Sequence, residues 1–274
     1  MASNGMLGSV VLLRRYPVKS MMGEELRSTD ITEDGLLGDR SYALIDTETG
    51  KVVSAKNPQK WPTLFSFYAH YIDPPTPSNS LPPVRITLPD GTVTDSNQAD
   101  VSSIISNALG RSVRLESQRH QTPSLEEYWP DIPELDNKDV VTDEKMPEKT
   151  FFDLATIHLL TTSTIDELRR LYPQGRFEAR RFRPNIVVNT GAEQPAFAEN
   201  QWVGKTLAIG EVLLKVTEPC PRCVMTTLPQ GDLPEDKGIL RTALQNNKGH
   251  VGVYASIVKG GAIKCGDEIN IIDG

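Results

Sequence analysis

Cysteine is scarce in this chain, with three residues among 274, at positions 220, 223 and 265. Three thiols cannot all pair within one chain, and their spacing makes no disulfide framework, so a reducing compartment is expected. The four histidines show no metal-ligand spacing and there is no second Cys-x-x-Cys, which leaves structural zinc short of the four ligands it needs. An excess of basic charge is also missing. Lys and Arg number 29 against 36 Asp and Glu, for a net charge of -7 and a pI near 5.2. That balance argues against a general nucleic-acid or anionic-membrane binder, so any anion site must be a local basic pocket. No segment approaches the roughly 20 consecutive apolar residues of a membrane span. Near the N-terminus only residues 10–13 are continuously apolar and no basic region precedes them, so neither a signal peptide nor an anchor is expected, and the location expected is cytoplasmic. Iron–sulfur cluster spacing, a flavin fingerprint and a haem ligand pair are absent, as are internal repeats.

What is there centres on Glu218-Pro219-Cys220-Pro221-Arg222-Cys223-Val224-Met225-Thr226-Thr227-Leu228. Residues 212–217 and 224–228 are rich in β-branched and apolar side chains, which predicts two strands with Cys220 and Cys223 on the bend between them. Pro219 and Pro221 each fix φ and remove a donor, stiffening that bend and keeping it out of a helix. The Arg222 cation beside the thiols favours thiolate, the form that attacks electrophiles or ligates a soft metal. The pair could equally be small apolar residues in a turn. A thioredoxin-like redox pair would open a helix, whereas 224–228 reads as strand.

Around this bend the chain reads as short strands, tight turns and few helices, the pattern of β-barrels. A strand at 8–15 runs into Tyr16-Pro17-Val18-Lys19-Ser20, placing an ammonium and a hydroxyl at a strand exit. Gly38-Asp39-Arg40 leads into residues 41–46, which Thr49-Gly50 turns back into 51–55 as a hairpin, and 84–88 with 92–94 form another. Lys19, Arg40 and Lys56 all flank strands of this first half, where surface charge is the ordinary alternative. Apolar spacing predicts a helix over 100–109 stopped by Gly110, a second over 164–172 capped by Thr161 or Thr162, and a short third at 239–244. Residues 117–149 are polar, acidic and punctuated by proline, and read as a connection between two domains, 1–118 and 119–274. Arg176, Arg180, Arg181 and Arg183 then precede the strand 186–189. Such arginines suit either planar, bidentate phosphate binding or salt bridges to acidic residues of the connection.

Tyr16-Pro17-Val18-Lys19-Ser20, Gly38-Asp39-Arg40, Phe182-Arg183-Pro184-Asn185, Pro221-Arg222-Cys223 with Thr226-Thr227, and Gly266-Asp267 together resemble the MOSC family, proteins related to the C-terminal domain of molybdenum cofactor sulfurase. The likeness runs in order over nearly the whole chain and is greatest to the branch holding the mitochondrial amidoxime-reducing component and its bacterial relatives. It implies a mainly β fold with some α, a MOSC N-terminal β-barrel domain plus a MOSC β-barrel domain, and a molybdenum–molybdopterin cofactor between them; pyridoxal phosphate is not expected. By resemblance, Cys223 rather than Cys220 would be the metal ligand and the catalytic residue. Lys19, Ser20, Arg40, Arg183, Asn185 and Arg222 would contact the cofactor, with Asp153, Thr156 and Tyr254 as looser matches. A soft thiolate suits the metal, and basic groups suit the pterin's phosphate.

Three functions follow as expectations. The first is a molybdenum-dependent reductase of small N-hydroxylated compounds such as amidoximes and hydroxylamines, fed by a separate iron–sulfur, flavin or b-type haem protein and its reductase. The second is a sulfur carrier with a persulfide on Cys223. The third is a non-catalytic protein that binds the cofactor.

Overall fold

Seven strands of the computed structural model, which describes residues 6–77, 80–117, 122–191 and 195–272, close into a barrel. Met6–Arg15 pairs antiparallel with both Ile186–Asn189 and Glu268–Ile272. From Ile186–Asn189 the ring passes in parallel to Ile157–Thr161, then antiparallel to His250–Lys259, Val212–Pro221 and Thr206–Ile209, and returns to Glu268–Ile272. Alternation drives the closure: in Thr206–Ile209 Leu207 and Ile209 are fully buried while Thr206 and Ala208 are not. Side chains one period apart therefore fill the interior, with Val10, Leu13, Ile157, Ile186, Val216 and Val253 from the other strands.

The first strand of the chain is thus a stave of a barrel otherwise made by the second half. Its exit, at Tyr16 to Ser20, carries the chain from the barrel into a separate core of Val18, Met21, Leu44, Phe67, Ile86 and Ile105. Around that core lie a two-stranded sheet of Ala43–Asp46 and Val113–Glu116 and a three-stranded sheet of Tyr68–Tyr71, Val84–Thr87 and Val93–Asp95. Met225, from beyond the cysteines, is buried in the same core and Cys223 packs against it. The mainly β architecture with some α expected from the sequence is what the chain adopts, with four α-helices among the described residues.

Three helices fall where they are expected, Val101–Leu109, Thr162–Leu171 and Lys237–Asn247, and a further turn at Ala179–Phe182 is not among those expected. Gly110 ends the first in a left-handed conformation, and the Thr161 hydroxyl accepts the Thr164 N–H to cap the second.

Three local expectations need correction. Residues 41–46 and 51–55 do turn back on each other, with the Asp46 N–H donating to the Lys51 carbonyl and the Val53 N–H to the Leu44 carbonyl, but the pairing stops at one bridge, Ile45 to Val52, and the longer ladder of Ala43–Asp46 is with Val113–Glu116. Val224–Thr227 is a 3-10 turn, since the Thr226 and Thr227 hydroxyls bond back to the Cys223 and Val224 carbonyls and divert the backbone from a ladder. The 117–149 stretch is more than a connection: Ser124–Trp129 and Val140–Lys145 pair as a hairpin through six residue pairs. Among the described residues no helix is long and apolar enough to cross a membrane.

Candidate functional site

A cavity of about 300 Å³ lies where the barrel, the first-half core and the 124–145 hairpin meet. Lys19, Ser20, Arg40, Asp153, Arg183, Asn185, Arg222, Cys223 and Tyr254 all line it. Thr156 is not among its lining residues; its Cβ faces Gly35, 3.2 Å from where a glycine Cβ would stand.

Three of these side chains are held on unusual backbone. Ser20, Arg40 and Arg183 have φ of 62°, 46° and 55°, the left-handed region that non-glycine residues seldom occupy. Such conformations cost on the order of 1 kcal/mol or more and persist only where surrounding contacts enforce them. Asp39 supplies much of that enforcement. Its buried carboxylate accepts the Tyr16 N–H at 2.7 Å and the Asn185 amide at 2.9 Å and pairs with the Arg40 guanidinium, tying the three motifs together. Asn185 also accepts the His158 N–H at 3.2 Å and donates to the Arg14 carbonyl, so its amide braces the wall.

Most of the cations in the cavity have partners. Lys19 Nζ donates to the Phe151 carbonyl at 2.8 Å and to Asp153 at 2.5 Å, and Lys56 Nζ donates to Glu127 at 3.0 Å. Burial pulls the Asp153 carboxyl upward, but the Lys19 and Lys56 ammoniums override it and hold the group well below the usual carboxylate range. Burial likewise lowers Lys19, against the raising effect of Asp153. Arg222 donates to the Cys220 sulfur at 2.7 Å and to the Phe182 carbonyl at 2.8 Å. Arg183 differs from the rest. Its guanidinium lies 4.0 Å from the centre of the Tyr16 ring, both terminal nitrogens are buried without a hydrogen-bond partner, and burial draws it down to about 10.

Arg222 therefore engages Cys220, not Cys223, and the expected thiolate-favouring effect is overridden at Cys223. Burial, followed by the nearby Glu127 carboxylate, pushes the Cys223 thiol up to about 12 despite Lys56 and Arg222. A metal ion, if bound, would supply the positive charge that converts such a thiol to a ligand. Cys223 lines the cavity, whereas Cys220 is fully buried behind the wall.

The arginine-rich segment divides by position. Arg176 and Arg180 pair with Glu178 and Asp232, not with acids of the connection. Arg181 is fully buried and donates to the carbonyls of Arg176, Thr226, Leu228 and Pro234, clamping the loop behind Cys223. Only Arg183 of the four reaches the cavity.

The motifs did not single out Glu127, Trp129, Glu144 and Lys145 from the hairpin, nor Phe152 and His158, while Phe182, the first residue of the Phe182-Arg183-Pro184-Asn185 motif, also lines the cavity. His158 carried a faint signal as a histidine inside an apolar strand. Its Nε2 lies 3.1 Å from the Val251 carbonyl, and burial, helped by Arg222, lowers its pKa to about 3. In the hairpin the aromatic pair Tyr128 and Trp129 pointed to contact with the body, whereas Glu127, Glu144 and Lys145 carried no signal, because charged polar sequence looks the same in a solvated linker as in a cavity wall.

Comparison with known proteins places the chain by its two domain types. Residues 7–102 match the MOSC N-terminal beta barrel domain and residues 147–270 match the MOSC domain. The chain is 26% identical to rat mitochondrial amidoxime reducing component 2 and 25% identical to human mitochondrial amidoxime-reducing component 1, over 96% and 97% of its own length and 83% of each of theirs. A molybdenum cofactor sulfurase from rice is 25% identical over 78% of this chain and 28% of that protein. With its two domain types in order and these relatives spanning it, the chain belongs to the MOSC family.

Proposed function

We propose that this protein is a molybdenum cofactor-dependent reductase of N-hydroxylated compounds, supplied with electrons by a separate protein. The observation that carries the reading is Arg183, a buried guanidinium whose two terminal nitrogens have no partner and which lines a cavity also lined by Cys223. A buried, unpaired cation is costly unless it meets an anion, and a planar fork suits phosphate. The donor set fits a pterin-bound metal: one soft sulfur for the metal, and cationic and hydroxyl groups for the pterin and its phosphate.

Cys223 would hold the metal, and Arg183, Arg222, Lys19, Arg40 and Ser20 would hold the pterin moiety. When bound, the cofactor supplies two-electron reduction at an N–O bond, so that an N-hydroxyl compound, two electrons and two protons give the reduced nitrogen compound and water. The chain's own task is to bind, orient and desolvate. The brace from Asp39 to Asn185 and Arg40 preorganises one wall, the Lys56–Glu127 pair closes another, and Trp129 from the hairpin bounds the approach.

The test is the metal and pterin content of protein made in a host that synthesises the cofactor, followed by turnover of an aromatic amidoxime with an artificial electron donor. Near-stoichiometric molybdenum and pterin with turnover is the expected result. Cyanolysable sulfur without metal would instead support sulfur transfer, and pterin without turnover would support a binding protein.

A further inference from the structure

The reading above leaves Cys220 without a role, although it is fully buried and free. Its strand, Val212–Pro221, shifts register against His250–Lys259 between Pro219 and Pro221, so Cys220 sits at a bulge. Bulges re-aim the side chain they carry. This one brings the sulfur against a group that lines the cavity: Arg222 Nη1 donates to it at 2.7 Å. The second terminal nitrogen of Arg222 donates to the Phe182 carbonyl at 2.8 Å, and its Nε is buried without a partner. The guanidinium is therefore pinned at its two terminal nitrogens, with the Nε–H left without a partner.

We infer that Cys220 is a positioning residue: its sulfur, acting as an acceptor, fixes Arg222 in one rotamer at the cavity wall and keeps the Nε–H available to an anionic oxygen of the bound cofactor. An arginine loses much rotamer entropy on ordering, and an anchor already present in the cofactor-free protein supplies that order before binding. The Phe182 carbonyl alone would leave the plane free to swing about a single contact. A thiol suits the position because it fills an apolar site as a small hydrophobe while still accepting from the guanidinium. The nature of the anion rests on the proposed function; the anchoring of Arg222 does not.

The test compares wild type with Cys220→Ala, Cys220→Val and Cys220→Ser by two readouts. The first is the Arg222 Nε–H resonance of the cofactor-free chain, which should be sharp and slow to exchange in wild type and Cys220→Ser, and broad or fast to exchange in Cys220→Ala and Cys220→Val. The second is cofactor retention, which should fall roughly tenfold in the Ala and Val variants and recover in Ser, since only Ser keeps an acceptor. Thermal unfolding of the cofactor-free variants separates packing loss from loss of the acceptor, and Val fills the site should Ala fail to fold. An unchanged Arg222 signal in Ala and Val, or a Ser variant as impaired as they are, would overturn the inference. Absence of pterin from wild type would sink the proposed function alone, because the Arg222 resonance still decides the role of Cys220.

Discussion

Arg183 and Lys19 are both buried cations of one cavity, and their partners make them opposites. Arg183 has no hydrogen-bonded partner at its terminal nitrogens, and Asp39 and Asp153 act on it only through space, so Arg183→Ala removes a charge without a direct partner. Cofactor retention should fall tenfold to a hundredfold, for a charge-assisted contact of about 1.5 to 3 kcal/mol, while the cofactor-free protein unfolds within about 0.5 kcal/mol of wild type. Lys19→Ala also weakens retention, but it strips donors from Asp153 and the Phe151 carbonyl, so the cofactor-free protein should lose about 2 kcal/mol as well. Parallel denaturant titrations of the two variants check this asymmetry. Cys223→Ser should keep the fold and abolish both molybdenum retention and turnover, because a hydroxyl is a poor donor to a soft metal; metal analysis beside a melting curve reads both. His158 gives a pH signature. Its folded pKa is depressed to about 3, below the ordinary histidine value near 6.5. The folded state thus holds a neutral ring where the unfolded state takes a proton, so its contribution is complete above pH about 6.5 and is lost as pH falls toward about 3. Stability should drop by about 1.4 kcal/mol per pH unit in that window, and His158→Gln should flatten the slope in urea midpoints taken at pH 7 and pH 5.

At the scale of elements, the turn that carries Cys223 is held from behind. Arg181 gives its donors to four backbone carbonyls, three of them on the loop from Thr226 to Pro234, and has no acid partner of its own. Methionine would fill much of the volume and satisfy none of those carbonyls. At about 1 kcal/mol or more for each carbonyl stranded away from water, Arg181→Met should lose about 4 kcal/mol, read as a shifted urea midpoint, and should loosen the Cys223 turn. A loss under about 1 kcal/mol would mean that the loop is fixed by other contacts. The strand beside it shows the same close tolerance at Gly252, which has φ of 82° and whose Cβ would stand 2.3 Å from His158 Nε2. Glycine is required there because backbone and imidazole share that space. The hairpin Ser124–Trp129 with Val140–Lys145 contributes by a different route: its Glu127 pairs directly with Lys56 in one wall of the cavity, and its Trp129 is oriented through an indole N–H donated to Thr142 at 2.8 Å.

On the scale of the whole molecule, a net charge of -7 coexists with a cavity where Lys19, Arg40, Lys56, Lys145, Arg183 and Arg222 outnumber Glu127, Glu144 and Asp153. The positive potential is thus concentrated at the meeting of barrel, first-half core and hairpin, where low-dielectric walls strengthen it. No defensible site for a nicotinamide-to-metal electron chain appears in the 274 residues. Purified protein with NADH or NADPH alone should therefore leave an amidoxime unreduced, and a small iron–sulfur, flavin or b-type haem protein with its reductase should restore turnover. Electron-transfer contacts are small and weak, so the pair need not comigrate on gel filtration. Steady NADH-driven turnover by the homogeneous chain would reveal a redox site in it that these residues do not suggest.

Sequence by itself determined the parts whose information is local. Turn and cap chemistry placed the helices at Val101–Leu109 and Thr162–Leu171, alternation placed most strands, and the motif residues from Lys19 to Cys223 were named before their meeting point was visible. Tertiary structure decided what depends on partners distant in the chain. Met6–Arg15 closes a barrel more than 170 residues downstream because only there does a two-sided gap match its apolar alternation. Arg222 turns to Cys220 because a register shift carries that sulfur to it, and the acidic 117–149 stretch becomes a cavity wall because Lys56 waits opposite Glu127. Pairing across such separations is set by the geometry of the closed sheet and by charges that meet only after closure, and neither leaves a periodic trace in the chain.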